Sequence, residues 1–322
     1  MDQSILALAD LATPMAIRVA ATLGLADHEG TAAELASATG ASPAALARLL
    51  DHLVTAGVFA FESGRYRPTD LGAQLRTEAA KVLLDINRAG GRADLAFADL
   101  LGTITTGEPA YERRYGRGFW ADIDAEPRLR RSFDAQMGWR FRDHAPRIAG
   151  RFAWSRFPRI VDVGGGDGVL LAEILRAHPE VRGEVLDLAP SATAAAERFA
   201  AAGFGDRASA VAGSFFDPLP PAADAYVLSD ILHDWDDDHA ARILTRCREA
   251  ADPSGTVVVI EPLHEAAGTA MDLFMLMCFG GRERTPAELE TLAADSGLVL
   301  RETVAVSDGR TALEFGVAGR EW

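Results

Sequence analysis

The chain has 322 residues, 48% of them hydrophobic and 25% charged, enough apolar material for more than one core and too much for a disordered chain. Its 32 basic and 47 acidic residues leave a net charge of -15 at pH 7, which repels nucleic acid and anionic membrane surfaces. Cys247 and Cys278 are its two cysteines, so neither a disulfide framework nor a cysteine-based metal site is expected, and a reducing cytoplasm is the expected compartment. The opening Met1-Asp2-Gln3-Ser4 carries no basic run, and no stretch of about 18 uncharged apolar residues occurs; neither export nor membrane spanning is expected.

The first 25 residues are rich in Ala, Leu and Ile on more than one helical face, which predicts a buried helix capped at Asp2. Thr31 with Glu34 three residues on, then Ser42 with Pro43, open two short helices that meet across Thr39-Gly40-Ala41. Val58 to Phe61, a turn at Glu62-Ser63-Gly64-Arg65, and Tyr66 to Thr69 read as a hairpin, so the pattern is a winged helix. Its second helix offers Arg48, Asp51 and His52, a poor supply of phosphate contacts, and a structural or dimerising role is the better reading. Residues from about 80 to 150 carry helical periodicity, with Phe133, Met137 and Phe141 at four-residue spacing. After Trp154 to Pro158 the pattern becomes alternating strand and helix, with strands expected near 159–163, 182–187, 208–212, 224–229 and 255–261 and an antiparallel return at the end. The expected division is 1–88, a winged-helix-like dimerisation domain; 89–150, a helical linker; and 151–322, an α/β domain.

Arg159-Ile160-Val161-Asp162-Val163 runs into Gly164-Gly165-Gly166-Asp167-Gly168 and then an amphipathic helix, the pattern of a nucleotide-type cofactor site. The dinucleotide spacing is only half met, because Val169 or Leu171 falls where the third glycine belongs. Asp187 at the end of the next strand can accept both hydroxyls of a ribose, and S-adenosylmethionine, which has a ribose but no pyrophosphate, fits that pairing better than NAD.

Further along, Tyr226 to His239 with its Leu232-His233-Asp234-Trp235, then Val259-Ile260-Glu261-Pro262, then Gly280-Gly281-Arg282-Glu283-Arg284-Thr285-Pro286 resemble in order the catalytic segments of the plant-type and bacterial small-molecule O-methyltransferases. Thr13 to Leu25 and Gly213 to Pro220 are similar to those of the anthracycline and aromatic polyketide tailoring members. The resemblance implies an α/β fold, a Rossmann-like class I methyltransferase sheet with an N-terminal all-helical, winged-helix dimerisation domain that makes a homodimer. It implies methyl transfer from S-adenosylmethionine to a hydroxyl of an aromatic, polyketide-like small molecule, leaving S-adenosyl-L-homocysteine.

On that reading Asp162, Gly164 and Gly166 lie along the cofactor, Asp187 holds its ribose, and Leu188, Phe215 and Trp235 enclose its adenine. Ser214 stands where relatives commonly carry an aspartate to the adenine amine, and Ser229 where some plant relatives have a lysine. His233 is the expected general base, because a phenol with a pKa near 10 is mostly protonated at neutral pH. Glu261 is expected to fix its tautomer, and Glu283 to do the same or to orient the acceptor. Met137, Asp234 and Met275 are the expected substrate contacts. Asp236, Asp237 and Asp238 are read as first-turn helix acids rather than as a metal site. Some members of the resembled family bind the same cofactor yet catalyse decarboxylation, hydroxylation or cyclisation, which is the alternative activity.

Overall fold

The computed structural model describes residues 4–251, 254–263 and 268–318. They fall into two units, one running to Leu95 and including Trp120–Trp139, the other made of Ala96–Phe119 and everything from Arg140 onward. The segment 89–150 is therefore not a third body. Its first helix, Ala89–Leu95, is held by contacts within the N-terminal unit, Ala89 N–H donating to Ser132 Oγ at 2.9 Å and Arg92 pairing with Asp122 at 2.8 Å. Helices Leu100–Thr106 and Ala110–Tyr115 instead pack on helix Thr269–Phe279 of the catalytic unit, where the Phe119 and Phe279 rings meet edge to face at 4.8 Å.

In the N-terminal unit, helices Ala32–Thr39 and Pro43–Thr55 and the hairpin β1 (Phe59–Glu62) and β2 (Arg65–Pro68) enclose a core of Leu35, Leu46, Leu50, Leu53, Phe59 and Tyr66. Thr31 and Glu34 form the reciprocal cap that the sequence predicts, whereas Ser42 makes no side-chain cap bond. Two of the second helix's polar residues bond within the unit. Asp51 accepts the Tyr66 hydroxyl at 2.7 Å, and His52 bonds Thr13 at 3.1 Å.

The first 25 residues form two helices rather than one, Ile5–Leu8 and Ala12–Thr22, because Ser4 caps the first and the Asp10 carboxylate accepts Ala12 and Thr13 N–H at 3.0 and 3.1 Å and starts the second. The expected cap at Asp2 lies outside the described residues. Burial is not met within one chain: Ile5, Leu6, Leu8 and Leu11 are 65–81% exposed. By length and composition Ile5–Thr22 could cross a bilayer, but Asp10 caps a turn in its middle and Arg18 pairs with Asp94 at 2.5 Å, so it is built into the globular unit.

The catalytic unit holds a seven-stranded sheet of β3 (Arg159–Val163), β4 (Arg182–Asp187), β5 (Ala208–Ala212), β6 (Ala225–Ser229), β7 (Thr256–Glu261), β8 (Leu298–Ser307) and β9 (Arg310–Val317), in the order β5-β4-β3-β6-β7-β9-β8. β3 to β7 are parallel and β9 runs antiparallel to β7, as the sequence predicts. Alternate residues serve opposite faces: Ile160, Val227, Val258 and Ile260 pack with helices His144–Arg151, Val169–Ala177 and Ala189–Ala201, while Val161, Tyr226, Leu228, Val257 and Val259 pack with Asp237–Ala250 and Pro286–Asp295. Strands buried on both faces read as near-continuous apolar runs, which is why they were easy to place. Parallel register brings Val163, Asp187, Ser229 and Glu261 out at one edge, and ligands of open parallel sheets bind there.

Candidate active site

The turn after β3 is shaped for close approach. Gly164 and Gly166 have φ of 74° and 59°, in the left-handed region that glycine enters without strain. A Cβ on Gly164 would lie 2.6 Å from Ile231 Cδ1. Asp187 organises this turn: one carboxylate oxygen accepts Gly166 N–H at 2.8 Å and the other accepts Leu188 N–H at 2.6 Å. Beside it, Phe215 and Trp235 meet edge to face with centroids 5.8 Å apart, and Phe216 lies 4.9 Å from Trp235. Ser214 Oγ is turned back to accept Phe216 N–H at 3.2 Å, so it shapes its own turn. Leu188 is 40% exposed at the start of helix Ala189–Ala201.

Two buried polar atoms here have no protein partner, Asp162 Oδ2 and Ser229 Oγ. Burial and the neighbouring Asp187 push the Asp162 carboxyl up to about 7. A glycine cradle, an acid at the end of the second strand of the fold, an aromatic pair and two orphaned buried oxygens fit a nucleoside bearing a charged amino-acid tail, which is what S-adenosylmethionine is.

The second half of the site grows from the turn after β6. Asp230 has φ of 53°, strained for a side chain of its kind. Its carboxylate is buried against Arg310, at 3.1 and 2.6 Å, with Arg140 at 3.4 Å; burial opposes its charge, but the two guanidinium groups prevail and hold it at about 2. The next residue, Ile231, lies in the right-handed helical region with φ of -116° and ψ of -52°, which points its N–H and that of Leu232 the same way. Ile231 and Leu232 both donate to Glu261 Oε1, at 3.1 and 2.8 Å. His233 follows on a short 3-10 turn, 4% exposed, with Nδ1 at 3.1 Å from Glu283 Oε1 and 3.6 Å from Glu261 Oε2, and with Nε2 3.6 Å from Asp234 Oδ1.

The three expected catalytic residues therefore meet, with roles redistributed. Glu283 is the hydrogen-bond partner of the imidazole, and Glu261 chiefly anchors the backbone that carries it. Burial pulls the His233 pKa down, but Glu261, Asp234 and the bond from Glu283 overcome it and push the pKa up to about 10. Burial likewise raises Glu261 to about 7 and Asp234 to about 6. Of the expected substrate residues, Asp234 is in this cluster, Met275 is buried on helix Thr269–Phe279, which packs on the His233 turn, and Met137 belongs to the other unit. Asp236 caps helix Asp237–Ala250 by accepting His239 N–H at 2.8 Å, and among the described residues no group of three or more His, Cys, Asp or Glu is arranged to hold a metal ion. Sequence reasoning missed Asp230, Arg310, Asp272, whose carboxylate accepts Glu283 N–H at 2.8 Å, and Arg284. A charged residue wedged between an apolar strand and the histidine was the available signal for Asp230.

A family model described as an O-methyltransferase domain matches residues 97–299, and one described as an O-methyltransferase dimerisation domain matches residues 6–78. The chain belongs to the O-methyltransferase family. It is 51% identical, over 94% of either chain, to a 2,7-dihydroxy-5-methyl-1-naphthoate 7-O-methyltransferase of Streptomyces carzinostaticus. It is 42% identical, over 96% of this chain and 86% of the other, to the aclacinomycin 10-hydroxylase RdmB of Streptomyces purpurascens. Its fold superposes with a TM-score of 0.94 and 48% identity on the neocarzinostatin-biosynthesis O-methyltransferase NcsB1 solved with S-adenosylmethionine and 2-hydroxy-5-methyl naphthoic acid, over 98% of this chain and 100% of that one. The protein is an S-adenosylmethionine-dependent O-methyltransferase.

S-adenosylhomocysteine titrated calorimetrically into the protein will bind at one site per subunit, and Asp187→Ala will bind it at least 10-fold more weakly, a loss of about 1.4 kcal/mol. The free enzyme holds a proton on Asp162 up to about pH 7. If the cofactor's ammonium draws on that carboxylate, binding releases the proton, so affinity will rise from pH 6 to pH 8. An affinity independent of pH in that window, or unchanged in Asp162→Asn, would remove Asp162 from the cofactor site.

Proposed function

We propose that this enzyme methylates a phenolic hydroxyl of an aromatic, polyketide-like natural product, with His233 as the general base. The observation that supports it best is the buried imidazole with Nδ1 within 3.6 Å of two glutamates and Nε2 3.6 Å from Asp234. The relatives named for naphthoate and aclacinomycin chemistry support the substrate class. When bound, S-adenosylmethionine supplies a methyl on a sulfonium, which passes to the acceptor oxygen to leave the neutral thioether of S-adenosylhomocysteine. The phenol's O–H bond breaks toward Nε2 as its new O–C bond forms, and the imidazolium then passes the proton to solvent. Glu283 keeps Nδ1 protonated, so that Nε2 carries the accepting lone pair, and it stabilises the charged ring afterwards. Glu261 and the Asp230–Arg310 pair hold that ring's backbone in place.

Because the carboxylates favour the imidazolium in the resting enzyme, the active neutral form grows as pH rises. The rate constant kcat/KM will therefore climb between pH 7 and 9 instead of levelling off above the ordinary histidine value of about 6.5. His233→Ala will lose about 100-fold or more in turnover with little change in cofactor affinity. Product mass is the deciding readout: incubation with hydroxynaphthoic acids and S-adenosylmethionine should add one methylene unit and release S-adenosylhomocysteine in equal amount. An oxygen-dependent product without S-adenosylhomocysteine would establish the hydroxylase-type reading that RdmB's name carries.

The same proposal makes the enzyme a cytoplasmic homodimer through its N-terminal unit, supported by the exposed Ile5, Leu6, Leu8 and Leu11 and by the dimerisation-domain match. Light scattering will give a dimer mass, and Leu6→Asp with Leu11→Asp will lower it. A monomer mass for the unaltered chain would refute this.

A further inference from the structure

Arg284 has no part in acid–base chemistry, yet it is more deeply buried than any other arginine near the site, with a side chain 2% exposed. Its guanidinium makes four hydrogen bonds: Nη1 donates to Leu232 O at 2.8 Å, Nη2 to Trp235 O at 2.8 Å, and Nη2 and Nε to Asp237 Oδ1 at 2.7 and 3.0 Å. Leu232 and Trp235 are the carbonyls on either side of His233-Asp234. The residue before Arg284 is Glu283, the imidazole's hydrogen-bond partner. Two further contacts tie the same strands of chain together: Arg282 N–H donates to His233 O at 3.0 Å, and a Cβ on Gly281 would come within 2.1 Å of that same oxygen.

We propose that Arg284 is a positioning residue for the reaction, a strut that fixes the backbone of His233 against the loop bearing Glu283 and so sets the His233–Glu283 contact. It acts through the backbone of His233 and through Asp237. A planar fork suits this work because two carbonyls and a carboxylate are gripped at once, in fixed directions, by a group that never loses its charge. An ammonium could satisfy the charge but not all three partners in that geometry. Asp237 completes the arrangement from outside: its side chain is 58% exposed, so it neutralises the buried guanidinium without being buried itself.

The consequence for the chemistry rests on the reading of His233 as general base, but the strut can be tested apart from it. In protein labelled with 13C-histidine, the NMR titration of His233 should move toward the ordinary histidine range in Arg284→Lys, because the Glu283 contact that raises its pKa is loosened. Turnover in that variant should fall by about 10- to 100-fold, with the acid limb of its pH profile shifted to lower pH and S-adenosylhomocysteine affinity unchanged. Guanidinium ion added to Arg284→Ala should restore part of the turnover.

If the Arg284 variants do not fold, Asp237→Asn, an exposed substitution, should shift the same titration in the same direction by a smaller amount. A His233 titration left in place by a folded Arg284→Lys, or by Asp237→Asn where Arg284 cannot be replaced, overturns the strut whatever happens to activity. A shifted titration with turnover intact supports the strut and instead counts against His233 as the base.

Discussion

One carboxylate oxygen sets the chemistry of this site. Glu261 Oε1, at the end of β7, accepts the N–H groups of Ile231 and Leu232, two consecutive residues whose N–H groups point the same way because Ile231 lies in the right-handed helical region. Asp230, the residue before them, is left-handed, and a non-glycine residue in that conformation costs about 1–3 kcal/mol, so something must hold it there. The bidentate Arg310 does so from the start of β9. The antiparallel strand thus contributes directly to the active site as well as closing the sheet. Parallel register between β6 and β7 is what makes the whole arrangement possible, since it sets Ser229 beside Ile260 and the following turn within reach of Glu261.

Around that oxygen lies a set of buried charges. Asp230, Asp234, Glu261 and Glu283 face His233, Arg310 and Arg140 across a few ångströms. Removing one member of such a set strands the others at a cost of about 3–5 kcal/mol, whereas the intact set is held by geometry. Glu261 and Glu283 each keep one oxygen without a partner. An unsatisfied buried acceptor is expensive to maintain, and at a reacting centre it is a place where an arriving proton is stabilised.

The sequence showed β3, β4, β6 and β7 almost residue for residue, because largely buried strands are apolar runs bounded by turn residues. His233, Glu261 and Glu283 stand out because they fall in motifs that resemble, in order, the catalytic segments of O-methyltransferases. What stayed hidden were relations that no local pattern encodes. Arg284 sits among charged neighbours in Arg282-Glu283-Arg284, and a run of charges reads as a solvated loop until burial shows otherwise. Arg310 begins a strand 80 residues from the aspartate it holds. The division of residues 89–150 between two units was equally hidden, since helical periodicity says that a face is buried and not against what.

The two halves of the site are built on different physics, and they tolerate change differently. The cofactor half is made largely of backbone: glycine dihedrals, Gly166 and Leu188 N–H groups, and the carboxylate that gathers them. Such a cradle depends on the fold and on few side chains. The acceptor half is made of buried side-chain charges whose energies depend on every neighbour, so a single altered charge shifts the pKa of all the rest. Cofactor binding can therefore persist on this scaffold while the proton chemistry beside it is retuned, and relatives named for methyl transfer and for hydroxylation can both match this chain over most of its length.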